Sequence, residues 1–367
     1  TFSGKRDLID VPEVSEVLSY LRLLDDPTHN PSLVRILAGP RFEIDPKDLA
    51  LLSLRANELV KDHKLNKENK TLPSKYFYDS KGDKLFQQIM AMPEYYLTKS
   101  EMEIFDMKAP EIISSFEIDR TKKIELIELG AGDGTKTIKL LTQLIQENYQ
   151  VEYIPIDISQ NALDGLNQML SVKLPELKVT PMQGTYFNVL NNLKDRDTPK
   201  IILFLGSNLG NLTDDEASDF LSKLGDVMQS KDKLLLGLDK IKSNEIVLPA
   251  YNDKTGITRE FNLNLLDRIN RDLNANFNRN QFEHLAYYEE SEGIAKSYLV
   301  SKKEQKVEIG ELNLNVMFKE NERISTEISR KYSEEVLKDI LLHTNFEINR
   351  ILMDSKKYFM NVILSIA

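Results

Sequence analysis

From residue 124 to residue 238, short apolar runs alternate with stretches of helical periodicity, and nothing else in the sequence constrains the fold as strongly. The apolar runs fall at 124–129, 151–156, 178–182, 200–205 and 233–238; helical stretches fall at 137–147, 161–173 and 214–229. Short continuous apolar runs are what strands buried on both faces look like, and strand–helix–strand order places successive strands parallel. The segment therefore predicts an α/β fold with a mostly parallel sheet and helices on both faces. Residues 72–116 read as helical. Residues 241–331 break the pattern: a helical stretch at 258–276 precedes short alternating runs at 296–301, 305–309 and 312–317, which predicts an inserted α+β unit. A helix at 333–341 and an apolar strand at 358–366 close the chain.

The first apolar run ends in Gly130-Ala131-Gly132-Asp133-Gly134. Glycines let the backbone turn sharply and let a ligand approach with no Cβ in the way. In open parallel sheets that ligand sits at the carboxyl ends of the strands, where strand order reverses. Asp157 ends the next apolar run, where an acid can accept hydrogen bonds from both ribose hydroxyls of a nucleoside. Each sign is weak alone. Two glycines are common in tight turns, and Asp157 by itself reads equally well as a strand-end cap. Together they favour an adenosyl ligand. The third glycine comes one place too early for the GxGxxG order of dinucleotide sites, and Glu128 precedes the turn. Pyrophosphate needs a helix amino terminus open to an anion. Asp133 opposes an anion there and suits a sulfonium cation. The turn thus predicts S-adenosylmethionine, converted to S-adenosylhomocysteine, with Gly130 and Gly132 against it.

Composition removes several other chemistries. The chain has no cysteine, so disulfides, thiolate nucleophiles and cysteine-ligated metals are excluded. Its four histidines, His29, His63, His284 and His343, lack ligand spacing, and no metal site is expected. A net charge of -10 gives no general attraction to phosphate backbones, so no nucleic-acid partner is expected. No apolar stretch reaches the roughly 18 residues that span a bilayer. Residues 1–10 lack the order of a secretory signal. A cytoplasmic monomer acting on a small molecule is the expectation.

Longer motifs sharpen this. Phe77-Tyr78-Asp79, PEYYLT (93–98), ELGAGDGTK (128–136), PIDIS (155–159), LGSNLGN (205–211), AYND (250–253), REFNLNLLDRINRDL (259–273) and Thr326-Glu327-Ile328-Ser329 occur in this order. From about residue 72 to 367 the chain resembles the histidine Nα-methyltransferases of ergothioneine biosynthesis. The resemblance implies a class I Rossmann-like methyltransferase domain interrupted by a substrate-capping domain. On that basis residues 59–240 and 332–367 form the S-adenosylmethionine-binding domain, and 241–331 the insertion. It also implies roles. Gly130, Lys136 and Asp157 contact S-adenosylmethionine, and Thr185 and Tyr186 lie beside the adenine. Asn211 and Tyr251 hold the substrate carboxylate, Tyr78 and the Gly206 backbone face the α-amino group, and Tyr95, Glu327 and Ser329 face the side chain. Two positions depart from the family pattern: Thr185-Tyr186 replaces the usual Asp-Phe, and Ser297 stands where methionine is frequent. Those departures leave open a second acceptor, another amino acid or amine on the same fold.

Residues 1–58 differ from the family's amino terminus and read as an appended helical segment. Residues 11–44 resemble a fragment of bacterial superfamily-one DNA helicases, which admits a third reading, a nucleic-acid- or helicase-associated module. The chain has no GxxxxGK[ST] phosphate loop to support that activity.

Overall fold

A computed structural model describes residues 70–312 and 314–367. The appended segment, and with it the helicase resemblance, lies outside the described residues. The described part forms one compact unit beginning at Lys70.

Its centre is an eight-stranded sheet built from β2 (Lys123–Leu129), β3 (Gln150–Asp157), β4 (Lys178–Val179), β5 (Met182–Gln183), β6 (Lys200–Phe204), β7 (Lys233–Asp239), β13 (Phe346–Met353) and β14 (Phe359–Ile366). The order is β13-β14-β7-β6-β2-β3-β4, with β5 also beside β3. The pairs from β7 through β6 and β2 to β3, and on to β4 and β5, are parallel. Only β14 runs against its neighbours, β13 and β7. β2 is buried at every position but its first. That explains the uninterrupted run, because a central parallel strand has no solvent face. The expected strand at 178–182 is instead two short pieces on either side of Pro181, which has no N–H to give the ladder.

Helices cover both faces. On one, α2 (Tyr96–Ser115), α3 (Thr137–Gln146) and α4 (Gln160–Lys173) supply Ile104, Ile112, Leu140, Leu144, Leu166 and Leu170 to the core. On the other, α5 (Tyr186–Leu193), α6 (Asp214–Val227) and α9 (Glu334–Leu341) supply Leu190, Leu193, Leu221, Leu224, Leu337 and Ile340. The chain moves outward from β2 through β3 to β4 and β5, then returns to the opposite side of β2 as β6. The reversal opens a crevice beyond the carboxyl ends of β2 and β6.

A second sheet has the order β1-β12-β9-β8, formed by β1 (Lys70–Thr71), β8 (Phe282–Glu289), β9 (Ile294–Ser301) and β12 (Arg323–Arg330). Beside it stand α7 (Asn244–Tyr251), α8 (Ile257–Asp272) and the hairpin β10 (Gln305–Ile309) with β11 (Leu314–Phe318). Helix α1 (Ser80–Ala91) packs on α8, with Phe77 stacked on Phe261 at 4.4 Å between ring centres. The helix expected to run to 276 stops at Asp272, and two residues on Asn274 turns left-handed at φ 48°. The register of β12 against β9 shifts between Ser325 and Glu327, and Glu327 then faces Ser297. Such bulges re-aim side chains beside functional sites.

Two glycines test the packing. A Cβ on Gly237 would fall 2.1 Å from Glu101 Oε1 and 3.2 Å from Leu205 Cα, whereas one on Gly165 in α4 meets nothing within 4 Å. Gly237→Ala should therefore cost about 1–3 kcal/mol, and Gly165→Ala should add up to about 1 kcal/mol. Urea unfolding of both variants checks the opposite signs; equal shifts would refute this account of Gly237.

Candidate active site

The donor half lies where β2 and β3 end. Gly130, Gly132 and Gly134 have φ of 74°, 54° and 63°, the left-handed region that favours glycine. A side chain on Gly130 would strike the Tyr186 hydroxyl at 2.8 Å, and one on Gly134 would strike Leu166 at 2.3 Å. Gly132 has open space at its Cα, so there the conformation alone calls for glycine. Its N–H points at Asp157 Oδ2, 3.3 Å away, and the Ser159 N–H donates to Asp157 Oδ1 at 2.9 Å. The carboxylate is thus held across the mouth of the glycine turn. Two acids of the motif point elsewhere. Asp133 caps its own turn by accepting from the Thr135 N–H at 3.0 Å. Glu128 is buried and accepts from Thr137, at 2.7 Å, and from Tyr153. Burial pushes its carboxyl up to about 7 against those two hydrogen bonds.

Tyr186 opens α5, with its ring edge-on to Phe204 and Phe220. Thr185, the residue before it, is exposed and makes no side-chain cap. Lys136 is ion-paired with Glu101, a fully buried acid in α2. Glu101 also accepts from the Gly206 N–H at 3.0 and 3.2 Å. The amide of Gly206 is therefore committed to Glu101. Sequence reasoning named Lys136 and Gly206 separately and missed the acid that joins them. The signal was present: Glu101 interrupts the apolar stripe of Leu97, Ile104 and Phe105.

The residues expected to hold the acceptor come from the second sheet and the loop after β6. That loop turns through Gly206 at φ 71° and Ser207 at φ 58° into the 3-10 turn Asn208–Asn211, which ends in Asn211. A Cβ on Gly210 would lie 2.7 Å from the Arg330 carbonyl, so loop and β12 are in close contact. On β12, Glu327 accepts from Ser297 Oγ at 3.3 Å. Burial pushes the Glu327 carboxyl up to about 7, against the pull of Lys331 and Ser297. The Tyr251 hydroxyl donates to Ser329 Oγ at 2.8 Å. Buried Lys331 donates to both oxygens, at 2.6 and 2.9 Å, and pairs with Asp239 at 2.8 Å. Tyr96 and Lys242 donate to the same Asp239. Burial alone would raise Asp239, but Lys331 and Lys242 outweigh it and hold its carboxyl below the usual range. Lys331, Asp239 and Lys242 escaped sequence reasoning, because a charged residue in a strand-end segment reads as solvated.

Tyr78 stands between the halves. Burial first, then the nearby charges of Glu327, Tyr186, Asp83 and Asp157, push its hydroxyl well above the normal value. It is therefore a neutral phenol at physiological pH. Tyr95 is raised in the same way by burial and by Tyr251, Tyr78, Glu327 and Asp239. Glu327, Tyr186 and Asp157 thus act electrostatically on Tyr78, and Tyr251, Tyr78 and Glu327 on Tyr95. Among the described residues no group of three or more acids and histidines is placed to hold a metal, and no helix is long and apolar enough to cross a membrane.

A family model described as histidine-specific, S-adenosylmethionine-dependent methyltransferase matches residues 58–366. The chain belongs to this family. Histidine N-alpha-methyltransferase of Mycolicibacterium smegmatis is 35% identical over 266 residues, covering 72% of this chain and 81% of the relative. The protein of the same name from Mycobacterium tuberculosis is 35% identical over 268 residues, 73% of this chain and 82% of its own. Ergothioneine biosynthesis protein 1 of Schizosaccharomyces pombe is 30% identical over 284 residues, 76% of this chain but 36% of that protein. This methyltransferase therefore uses S-adenosylmethionine on a class I Rossmann-like fold, and the glycine cradle opposite Asp157 fits an adenosyl ligand. The family match begins at residue 58 and leaves most of the appended segment outside it.

The raised Glu327 carboxyl has a measurable consequence. An acid whose folded pKa lies above its unfolded value binds its proton more tightly when folded. Stability therefore falls as pH rises from about 4.5 towards 7 and stays lower above. Glu327→Gln lacks this loss, so it should be more stable than the parent at pH 8 by on the order of 1 kcal/mol, with no gap near pH 4.5. Urea unfolding at the two pH values measures it; a gap independent of pH would contradict the assignment.

Proposed function

We propose that this enzyme methylates the α-amino group of L-histidine, through to the trimethylated betaine of the ergothioneine route. One observation carries the reading: Glu327 on the second sheet, and Tyr186 and Asp157 beside the glycine turn, all act electrostatically on the Tyr78 hydroxyl. The donor's adenosine lies along Gly130, Gly132 and Asp157, with Tyr186 and the exposed Thr185 beside the adenine and Lys136 near the amino-acid end. The acceptor's carboxylate is held by the Asn211 amide and the Tyr251 hydroxyl, both neutral donors. Its amine meets Tyr78 and the Gly206 carbonyl. Its side chain meets Tyr95, Ser297, Glu327 and Ser329, where an imidazole N–H donates to the Glu327 carboxylate.

The chemistry asks for placement. The neutral amine nitrogen forms its bond to the methyl carbon as the methyl–sulfur bond breaks, leaving S-adenosylhomocysteine and a proton. The sulfonium already activates the methyl group, so a rigid in-line approach supplies most of the acceleration. Tyr78 and Gly206 orient the amine for that approach. Domain limits follow the same reading: residues 59–240 and 332–367 bind the donor, and 241–331 cap the acceptor. A monomeric cytoplasmic enzyme without nucleic-acid partners completes it.

The test is a panel of the twenty amino acids with mass detection of mono-, di- and trimethyl products. Histidine should be the best acceptor, and Tyr78→Phe should lower its kcat roughly ten- to hundredfold while S-adenosylhomocysteine still raises Tm. Preference for another amino acid would refute the histidine assignment, and an unchanged kcat would refute the role of Tyr78.

A further inference from the structure

Lys331 is fully buried, yet nothing in the methyl-transfer chemistry calls for a cation at its position. Its ammonium carries three protons and no lone pair. Three acceptors take them: Asp239 Oδ2 at 2.8 Å, the Tyr251 hydroxyl oxygen at 2.6 Å and Ser329 Oγ at 2.9 Å. Tyr251, the more acidic of the two hydroxyls, donates to Ser329 Oγ at 2.8 Å. Ser329 Oγ therefore accepts twice, from Lys331 and from Tyr251, and both its lone pairs are filled. Its own proton has nowhere to go except away from both. If Tyr251 instead turns its proton to a substrate carboxylate, Lys331 still donates to Ser329 and takes nothing back, so Ser329 keeps one lone pair filled and its proton free to point at the substrate. Glu327 lies two residues before Ser329, on the same face of β12. The strand thus sets an acceptor and a donor side by side.

We propose that Lys331 is a positioning residue that makes Ser329 a hydrogen-bond donor to the amino-acid substrate, so that the Glu327–Ser329 subsite takes a ring offering one N–H and one lone pair. This rests on the proposed placement of the substrate side chain at Glu327 and Ser329. A neutral imidazole offers both groups. A pyrrole or indole offers the N–H alone and turns a C–H to the Ser329 proton, which then loses its partner. Asp239 pairs with Lys331, and Lys242 and Tyr96 keep Asp239 partnered when Lys331 is replaced.

The experiment compares kcat/KM for L-histidine and for β-pyrrolylalanine, in which a C–H replaces the lone-pair nitrogen. It uses the full chain, Lys331→Met and Ser329→Ala, with the affinity for S-adenosylhomocysteine measured alongside. The parent should prefer histidine by roughly tenfold or more. Lys331→Met frees a lone pair on Ser329, which can then accept from an N–H, so the preference should fall at least tenfold while S-adenosylhomocysteine binding holds. Ser329→Ala should lose the preference as well. If Ser329→Ala loses it and Lys331→Met keeps it, or if Lys331→Met slows both substrates equally, the inference about Lys331 is overturned and the substrate placement stands. If Ser329→Ala keeps the preference, the placement itself fails. Should Lys331→Met not fold, Lys331→Gln gives the same readout, because its amide oxygen offers Ser329 an inward acceptor.

Discussion

Asp239 is a carboxylate buried where two sheets meet, and Lys331, Lys242 and Tyr96 all converge on it. It ends β7 of the central sheet, and the Tyr332 N–H donates to its carbonyl at 2.8 Å. Lys331 arrives from the end of β12, and Lys242 follows from the segment after β7. Removing an ionised group from water costs several kcal/mol, and removing one member of a buried pair leaves the other uncompensated. The seam is therefore held by groups that cannot separate without penalty. The ammonium that neutralises Asp239 also orders Tyr251 and Ser329. One buried acid is thus tied both to the join between the sheets and, through Lys331, to the Tyr251 and Ser329 hydroxyls.

Glu101 plays the corresponding part on the donor side. It reaches across Gly237, whose missing side chain makes the room, to hold Lys136 and the Gly206 amide together. Asp239 ends β7 and Glu101 lies near the start of α2, and each is matched by lysine from another element. Charge in the site is handled by buried, paired groups. Its open surfaces are formed by glycine turns and neutral hydroxyls, which suits a reaction driven by placement.

Much of the fold was legible because central strands bury both faces. The runs at 124–129, 200–205 and 233–238 coincide with β2, β6 and β7 within a residue or so, and three closely spaced glycines marked the turn above them. Other elements were hidden. α7 contains Pro249, which reads as a turn. β13 is an edge strand with exposed Glu347, Arg350 and Asn349 breaking its apolar pattern, and β8 mixes burial with exposure in the same way. The motif residues of the site could be picked out by their order along the chain. Of the buried partners only Glu101 left a trace, as a break in an apolar helical stripe; Asp239 and Lys331 are ordinary charged residues in sequence, and only the tertiary arrangement takes them out of water.

The short strand Lys70–Thr71 pairs with Ile324 and Ser325, and Lys70 ion-pairs with Glu322, 252 residues away. A contact that spans so much chain has a large loop-closure entropy to overcome, so it forms after the sheets it joins. It flanks the strand that carries Glu327 and Ser329. The nucleoside-binding turn, by contrast, is assembled from β2, β3 and the helices between them, all close in sequence. During folding the chain should acquire its grip on the methyl donor before it acquires the edge that completes the amino-acid pocket.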